Sequence, residues 1–287
     1  MAQIESKPAA GTGGDARALL LERLNSGHLV LPVIPTAATQ VLQASRNENT
    51  ATSKIAESLS SDPALAAHVL RAANSAAYAA SEPIVSLSQA VIRIGLTTVS
   101  QIALAACMKA KLFQAGGYVD LVSPVWPRSA MAAIWAREIA RVKDRDVEGA
   151  FLLGLLHDIG RPVVIQALLD LEKRNNVRYG EAQARVAMDY LHPMVGAALM
   201  RQWKMQDWMA DAIAWHEDPM SAPQHREEAL TASLAQRLAY WTLEGDANDA
   251  SQLREDEVPP ALGFDSEDLE KLLEQRDRVC SKAEALV

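Results

Sequence analysis

The sequence predicts an all-α protein made of two packed helical bundles. Alanine and leucine, both strong helix formers, recur in nearly every segment of the 287 residues, whereas aromatic residues make up only 5%. Apolar residues return at the 3.6-residue spacing of a helix along most of the chain, and no convincing period-2 strand pattern occurs. Helix-start signals precede several of these segments, and Asp62-Pro63 and Ser86 are the clearest of them.

The N-terminal region begins with a flexible tail over residues 1–14, which ends in Gly-Thr-Gly-Gly. A short helix is predicted from Asp15 to about Asn25. It is followed by an extended strap over residues 29–35, because two prolines in this segment forbid a helix. The strap either packs down and covers the first bundle or leaves apolar residues exposed as a docking surface for a partner.

Three further helices are predicted to complete the first bundle. One starts at Asp62-Pro63, where an acidic N-cap precedes a proline in the first helical position, and ends near Tyr78. The next opens at Ser86, the first residue of a capping-box pattern, and closes at Gly95. A third helix is expected over about residues 97–111.

Residues 114–124 contain glycine and proline and form the predicted internal boundary. We therefore predict an N-terminal bundle over residues 15–113 and a C-terminal bundle over residues 118–287. Helical periodicity in the second bundle covers 126–142, 147–158, 162–175, 180–190, 194–203, 206–216, 225–242 and 266–285. The acidic, proline-bearing stretch near 244–260 is predicted to be a surface excursion.

Charge and composition exclude several classes of function. The formal net charge is −8 at pH 7, and residues 217–287 alone carry seventeen acidic and seven basic side chains. No dense basic run is present, so neither nucleic acid nor an anionic membrane surface is expected as a partner. The two cysteines, Cys107 and Cys280, predict neither a disulfide framework nor a cysteine zinc site. A signal-peptide pattern and an apolar run of about 18 residues are not found, which predicts a cytoplasmic protein.

One stretch carries residues suited to chemistry. It reads Gly-Leu-Leu-His-Asp-Ile-Gly over residues 154–160, so His157 and Asp158 interrupt an apolar face near a helix end. Phosphate-binding loops, dinucleotide fingerprints and nucleophile-elbow motifs do not occur. The pair either caps helix ends or joins His192 and His216 in a metal site, since divalent metals favour imidazole and carboxylate ligands. Taken singly, His192 could begin a helix at the following proline, and His216 could be a charge-paired surface residue.

Five segments, in order along the chain, resemble the HDOD family of HD-related output domains. They are residues 62–75 (DPALAAHVLRAANS), 90–96 (AVIRIGL), 154–160 (GLLHDIG), 192–203 (HPMVGAALMRQW) and 215–219 (WHEDP). The resemblance spans about residues 29–243. It implies an all-helical fold in which an N-terminal bundle packs on a C-terminal bundle related to the HD phosphohydrolases.

The resemblance also implies a site. Active HD hydrolases hold one or two metals with an early histidine, the His-Asp pair and a late aspartate, often with further histidines. The matching candidate metal ligands in this chain are His157, Asp158, His192 and His216. Arg128 stands where the early histidine is expected, and Gln236 is the nearest match to the late aspartate. A guanidinium cannot ligate a metal, so the pocket is interpreted as vestigial, with no catalytic residue and no cofactor.

These features together predict a regulatory protein rather than an enzyme. HDOD domains are generally output or docking modules in bacterial signal transduction, so the resemblance implies a signalling protein as the partner. The alternative is an HD-type metal-dependent phosphohydrolase that acts on a phosphorylated nucleotide.

Arg128 carries the most specific prediction from the sequence. A carboxylate in an apolar pocket without a cation is costly, and a guanidinium can compensate its charge. Arg128 is therefore expected to pair with Asp158 in place of the missing metal. The alternative is that Arg128 lies at the helix start and points outward at the rim of the pocket.

Overall fold

The computed structural model describes residues 15–33, 63–78, 83–112, 117–245 and 249–287. These residues form helices joined by turns, and no β-strand occurs among them, which confirms the predicted all-α class. The helices are α1 (Ala16–Asn25), α2 (Pro63–Ala73), α3 (Leu87–Ile94), α4 (Leu96–Leu112), α5 (Val119–Val122), α6 (Val125–Val142), α7 (Val147–Leu156), α8 (Gly160–Asn175), α9 (Glu181–Gln202), α10 (Asp207–Trp215), α11 (Arg226–Glu244), α12 (Ser251–Glu255), α13 (Val258–Ala261), α14 (Ser266–Leu273) and α15 (Arg276–Glu284).

Local sequence explains where the first helices begin and end. The side chain of Asp15 accepts a backbone N–H at the start of α1, and Ser86 Oγ accepts a backbone N–H at the start of α3. Gly95 ends α3 with a φ of 84°, a backbone conformation that glycine adopts without a steric cost. The predicted boundaries at these three residues are confirmed, while Asp62 lies outside the described residues.

The second half of the chain is built around α6, and most of its 18 residues are buried. Trp135 is fully buried there, and its Nε1 donates a hydrogen bond to Thr242 Oγ1 of α11 at 2.9 Å. α6 packs on α7 and α11, and α8 packs on α9. Since α7 is enclosed by these neighbours, its apolar residues occupy nearly all sides of the helix. This packing places the turn between α7 and α8 in the interior.

The N-terminal helices divide between two sets of neighbours. α2, α3 and α4 pack on one another, whereas α1 packs on α9 and α8. Ala16 and Leu20, four residues apart, form the buried stripe of α1. The structure thus places α1 against helices of the predicted second bundle, although the prediction assigned it to the first. The last helix, α15, contacts α6 and the 3₁₀ turn Ala76–Tyr78.

Several helix boundaries differ from the prediction. The helix predicted to end near Tyr78 ends at Ala73, and the larger differences lie around Pro193 and near the C-terminus. The segments predicted on either side of Pro193 form one helix, α9, with the proline inside it. Proline lacks the N–H that would bond to the carbonyl of Asp189, and Nδ1 of His192 donates to this carbonyl at 2.9 Å instead. His192 therefore lies inside a helix and not at its start. The single helix predicted over residues 266–285 is divided into α14 and α15.

The acidic stretch near 244–260, which was predicted to be a surface excursion, packs in part against the rest of the protein. Its described residues include α12 and α13, and Leu253 and Val258 are buried. An ion pair between Arg237 and Asp256 ties the stretch to α11. Two apolar anchors and one ion pair therefore hold part of this segment against the second half of the chain.

The described part of the strap, residues 29–33, is packed against the protein on one edge and exposed on the other, so each of the two alternatives predicted for it holds in part. Leu29 and Leu31 pack against the core, and the carbonyl of Pro32 accepts a hydrogen bond from Trp203 Nε1 at 2.9 Å. Val33, in contrast, is 81% exposed. The strap thus packs on the end of α9 with one edge and presents the other to solvent, while its last two residues lie outside the described part of the chain.

One stretch of the described chain, Val147–Asn175, is long and apolar enough to cross a membrane by length and composition. It comprises α7, the turn after it and α8. Of the most apolar 18 residues in this stretch, 83% are buried inside the protein. We therefore interpret the stretch as the core of a helical bundle.

Candidate functional site

His157 and Asp158 lie in the turn between α7 and α8, and both side chains are 1% exposed. Close packing of helices brings this turn to His192. A Cβ atom at Gly160 would lie 2.0 Å from the carbonyl oxygen of His192, and one at Gly196 would lie 2.8 Å from a side chain of α10. Only glycine at these two positions lets α8, α9 and α10 approach so closely.

Each of the three buried imidazoles is oriented by a backbone carbonyl three residues before it. The distance from Nδ1 to that oxygen is 2.8 Å for His157, 2.9 Å for His192 and 2.7 Å for His216. The carbonyls used by His157 and His216 belong to last helical turns, where carbonyls lack intrahelical partners, and Pro193 frees the third. Because a carbonyl oxygen can only accept, Nδ1 is the donor in each ring.

Four ligand-type atoms converge where these helices meet. The Nε2 atoms of His192 and His216 are 3.3 Å apart. Asp158 Oδ1 lies 3.3 Å from the first nitrogen and 3.8 Å from the second. Glu217 Oε1 lies 3.2 Å and 3.6 Å from the same two nitrogens. The four atoms are all within 4.8 Å of one another and can hold a metal ion.

The structure therefore brings three of the four predicted ligands into one group and adds Glu217. His157 stands beside this group, with its Nε2 3.7 Å from Asp158 Oδ2. Its ring meets that of His216 edge to face, with the ring centroids 5.3 Å apart. His157 thus lies in the predicted pocket, next to Asp158 but outside the four-atom group.

The cation that pairs with Asp158 is Arg161. Its Nε donates to Asp158 Oδ1 at 2.7 Å, and its Nη2 lies 3.3 Å from Glu217 Oε1. The third guanidinium nitrogen, Nη1, lies 2.5 Å from Asp189 Oδ1. One guanidinium therefore holds three carboxylates, which is the use to which its planar fork of donors is suited.

The predicted pairing of Arg128 with Asp158 was wrong. Arg128 lies at the rim of the pocket, where its Nε donates to Glu244 Oε1 at 2.6 Å and its guanidinium stacks 4.6 Å from the ring centroid of Tyr240. Arg161 lies three residues after Asp158, so a single helical turn brings the two side chains together. This local contact supplies the charge that we had expected from a neighbouring helix.

Gln236, at the position of the late aspartate, does reach the site. Its Nε2 donates to Glu217 Oε1 at 3.1 Å. A neutral amide adds no ligand charge, but this contact fixes the orientation of the Glu217 carboxylate.

Sequence reasoning missed Arg161 and Glu217, although both carry a signal. Arg161 follows Asp158 at the i,i+3 spacing of helical neighbours. Glu217 follows a predicted ligand directly, but the sequence analysis considered it only in the alternative that made His216 a charge-paired surface residue. His216 is 0% exposed, so that alternative is wrong.

The electrostatics of the pocket favour charged carboxylates. Burial lowers the pKa of His157 to about 4, against the opposing effect of Asp158, so this imidazole is neutral at pH 7. Burial by itself raises the pKa of Asp158, but the imidazoles of His157 and His216 and the Arg161 guanidinium outweigh it and hold the pKa well below its usual range. Burial also raises the pKa of Glu217, and the neighbouring His192 and His216 overcome this and lower it to about 2.

A cavity of about 630 Å³ opens beside the four-atom group. Arg161, Glu217 and Gln236 line its inner side, and Arg128 and Tyr240 line its rim. The Glu217 side chain is 45% exposed, whereas Asp158 and both ligand-type histidines are nearly inaccessible. Glu217 is therefore the member of the group that faces the cavity.

Comparison with known proteins identifies the family. The family model described as the HDOD domain matches residues 31–219. The chain belongs to the HDOD family. The match includes the turn with His157 and Asp158, the proline-containing helix α9 and the segment after α10. The HDOD resemblance found in the sequence is thereby confirmed.

Solved structures of similar proteins share the HDOD fold. An HDOD domain protein of unknown function from Geobacter sulfurreducens is 25% identical, with a TM-score of 0.69 over 94% of this chain and 98% of that chain. A protein from Shewanella amazonensis SB2B, which is provisionally named a phosphohydrolase, is 24% identical. Its TM-score is 0.69 over 94% of this chain and 98% of that chain. This second likeness shows the fold alone.

Two further relatives are longer than this HDOD chain. A provisionally named signal transduction protein from Marinobacter aquaeolei VT8 is 25% identical, with a TM-score of 0.66 over 95% of this chain and 66% of that chain. An uncharacterized protein from Treponema pallidum is 21% identical over 225 residues, which are 75% of this chain and 43% of the relative. The chain thus spans less than half of the curated relative that it matches.

Proposed function

We propose that this HDOD protein is a non-catalytic output module of signal transduction that acts by binding another protein. The observation that carries the proposal is the position of Arg161. Its guanidinium binds Asp158, Asp189 and Glu217 at once. It thereby places a fixed positive charge beside the Asp158 carboxylate, which weakens the attraction of this carboxylate for a metal ion.

The donor atoms of the pocket also argue against turnover. A divalent metal in a hydrolase supplies a Lewis acid and an activated water, which requires a coordination position open to solvent. The residues that would hold a metal in this chain are Asp158, His192, His216 and Glu217. An ion held by all four would already have the number of protein ligands that is typical of a closed structural site, which would disfavour the binding of a water or a substrate to it.

The two departures from the HD pattern support the same conclusion. Arg128 contributes a cation at the rim of the cavity, and Gln236 contributes a neutral amide that holds Glu217. Neither residue can supply the imidazole or the carboxylate that the pattern requires at its position. The pocket retains the helical framework of an HD hydrolase with a ligand set unsuited to its reaction.

The assignment to signalling rests on the family. The HDOD match supports a signalling-related, HD-like domain, and the Marinobacter relative carries a signal transduction name. Binding to a partner protein follows from the general role of the family as an output module.

Turnover measurements test the absence of catalysis. The purified full chain, loaded in turn with Mn²⁺, Fe²⁺ and Zn²⁺, is assayed against bis(p-nitrophenyl) phosphate and a cyclic dinucleotide, beside the variant Asp158→Asn. We expect the parent and the variant to hydrolyse both esters at the same background rate. Metal-dependent hydrolysis by the parent that Asp158→Asn abolishes would refute the proposal.

The second candidate function is an HD-type metal-dependent phosphohydrolase, which the convergence of four ligand-type atoms favours. The same assay decides between the two. Under this alternative, the parent would show turnover that rises with metal loading.

A further inference from the structure

A second cavity, also of about 630 Å³, lies at the N-terminal end of α7, whereas His157 and Asp158 follow the C-terminal end of that helix. It opens where the end of α6 meets the starts of α7, α10 and α11. The residues that line it and the four residues that can hold a metal ion have no member in common. Its volume is within the range of about 300–1,000 Å³ that is usual for small-molecule sites. The cavity is therefore a separate candidate for a ligand.

The inner wall of this cavity is apolar. Ala140, Ala150 and other apolar side chains form its floor and are largely buried. The indole of Trp208 forms part of the wall, and a Cβ atom at Gly149 would lie 3.3 Å from its Cη2. Trp208 Nε1 donates a hydrogen bond to Gln206 Oε1 at 2.6 Å, so the ring is held at both ends. A flat or branched apolar group can pack on such a wall.

The rim of the cavity carries more acidic than basic side chains. Its four acidic and two basic residues are Asp144, Asp146, Glu227, Glu228, Lys143 and Arg145. His225 lines the rim as well, and the excess charge is negative whether or not this imidazole carries a proton. A negative rim attracts a cation and repels an anion.

Both basic side chains of the rim are held by groups of the protein. Arg145 forms a two-pronged ion pair with Glu227, in which Nη2 donates to Oε1 at 2.8 Å. Nζ of Lys143 donates to the carbonyl oxygen of Gly263 at 2.6 Å and lies 5.1 Å from the ring centroid of Phe264. The positive charges of the rim therefore already have partners.

Two of the four rim carboxylates, in contrast, are without a partner. Asp146 caps α7 by accepting two backbone N–H groups at 3.1 Å and 2.9 Å. Asp144 and Glu228 make no ion pair and no side-chain hydrogen bond with any residue in the part of the chain that the structure describes. Glu228 is half-buried in the first turn of α11, and Asp144 belongs to the turn before α7. Two separate segments thus bring unpartnered negative charge to the edge of an apolar cavity.

We propose that this cavity binds a small organic cation, in which an ammonium or guanidinium group is carried on an aromatic or aliphatic body. The body packs on Trp208 and the apolar floor, and the cationic group lies beside Asp144 and Glu228. A hydrogen bond between two charged groups is stronger than one between neutral groups, and partial burial strengthens it further. The site needs neither a metal nor catalysis, so it is additional to the proposed function and independent of it.

Binding of three related indoles to the full-length protein tests the inference. Tryptamine is the cation, tryptophol is its uncharged counterpart, and indole-3-propionate carries a negative charge. Calorimetry should give one tryptamine per chain with a Kd of about 1 mM or lower, which is a modest affinity for a ligand of this size. Tryptophol and indole-3-propionate should bind at least about fivefold more weakly, because neither supplies a cation to the carboxylates.

Nuclear magnetic resonance locates the bound ligand through the indole N–H signals of the six tryptophans. The signal of Trp208, assigned with the variant Trp208→Phe, should shift when tryptamine is added. Binding that leaves this signal unmoved would place the ligand elsewhere and overturn the inference.

Two charge variants complete the test. Glu228→Gln and Asp144→Asn keep the side-chain size, and asparagine tolerates the left-handed φ of 50° at Asp144. Each should weaken tryptamine binding about fivefold and leave tryptophol binding unchanged. Glu22→Gln is the matched control, since it alters an exposed carboxylate of α1, which packs on α8 and α9.

The inference is overturned if tryptamine does not bind, if tryptamine and tryptophol bind equally well, or if Glu228→Gln and Glu22→Gln behave alike. Circular dichroism of each variant checks that it is folded. Failure of the proposed function is separate, because it appears as ester hydrolysis by the metal-loaded parent and not as a change in tryptamine binding.

Discussion

Replacement of Arg161 by methionine tests the interpretation that this residue neutralises a buried carboxylate. The variant removes the guanidinium and retains a long apolar side chain in its place. Asp158, which is 1% exposed, loses the hydrogen bond that it accepts from Arg161 Nε at 2.7 Å. Asp189 and Glu217 are about half-exposed, so water can solvate them after the change.

The magnitude follows from burial. Removing one partner of a buried ion pair costs about 3–5 kcal/mol, because the remaining charge stays unpaired in the interior. Arg161 is the second residue of α8, and a cation near a helix N-terminus is unfavourable by about 0.3–1 kcal/mol. This second effect is relieved in the variant, so we expect a net loss of about 2–5 kcal/mol in the free energy of unfolding.

Urea denaturation of chelator-treated full-length protein, followed by far-ultraviolet circular dichroism, measures the loss. Arg185→Met is the control: its ion pair with Glu181 joins side chains that are 55% and 58% exposed, and such a pair contributes about 0.3–0.5 kcal/mol. The double variant Arg161→Met with Asp158→Asn should be more stable than the sum of the single losses predicts. Equal midpoints for Arg161→Met and Arg185→Met would refute the reasoning.

Three other predictions use the same denaturation measurements. Gly160→Ala should lower the free energy of unfolding by about 1–3 kcal/mol or prevent folding, because its Cβ would lie 2.0 Å from a backbone oxygen. Gly180→Ala is the control and should change stability less, because its Cβ would meet only a side-chain atom at 3.9 Å. Burial lowers the pKa of Lys282 to about 8, so the folded state releases this proton at a lower pH than the unfolded state does. Stability should therefore rise between pH 8 and about pH 10, and Lys282→Met should remove that part of the rise; an unchanged slope would contradict it. Leu31→Ser should destabilise the protein more than Val33→Ser, which alters a residue that is 81% exposed, and equal losses would show that the strap is packed differently.

Much of the helical architecture was predictable because its determinants are local. The caps at Asp15 and Ser86 and the turn glycine Gly95 act on their own backbone neighbours, so a few residues of sequence contain the whole interaction. The candidate pocket was predictable in part for the same reason. A polar His157–Asp158 pair inside an apolar helix has to find partners wherever the chain folds.

The proline in α9 shows where local rules failed. Pro193 predicts a helix boundary, yet the helix continues, because the packing of α9 on α8 and α10 outweighs one lost hydrogen bond. The carbonyl left free is used by the His192 ring. The sequence contained the proline and the histidine, but only the packed helix shows that they act together.

By itself the sequence determined the all-α class, the family and three of the four atoms that converge in the pocket. Only the tertiary structure decided that Glu217 supplies the fourth atom, that α1 packs on α9, and that Asp158 is neutralised by Arg161 and not by Arg128. Helix formation depends on neighbours within about four residues along the chain. The choice of a charge partner depends on distance and on burial, and both are fixed only when the helices have packed.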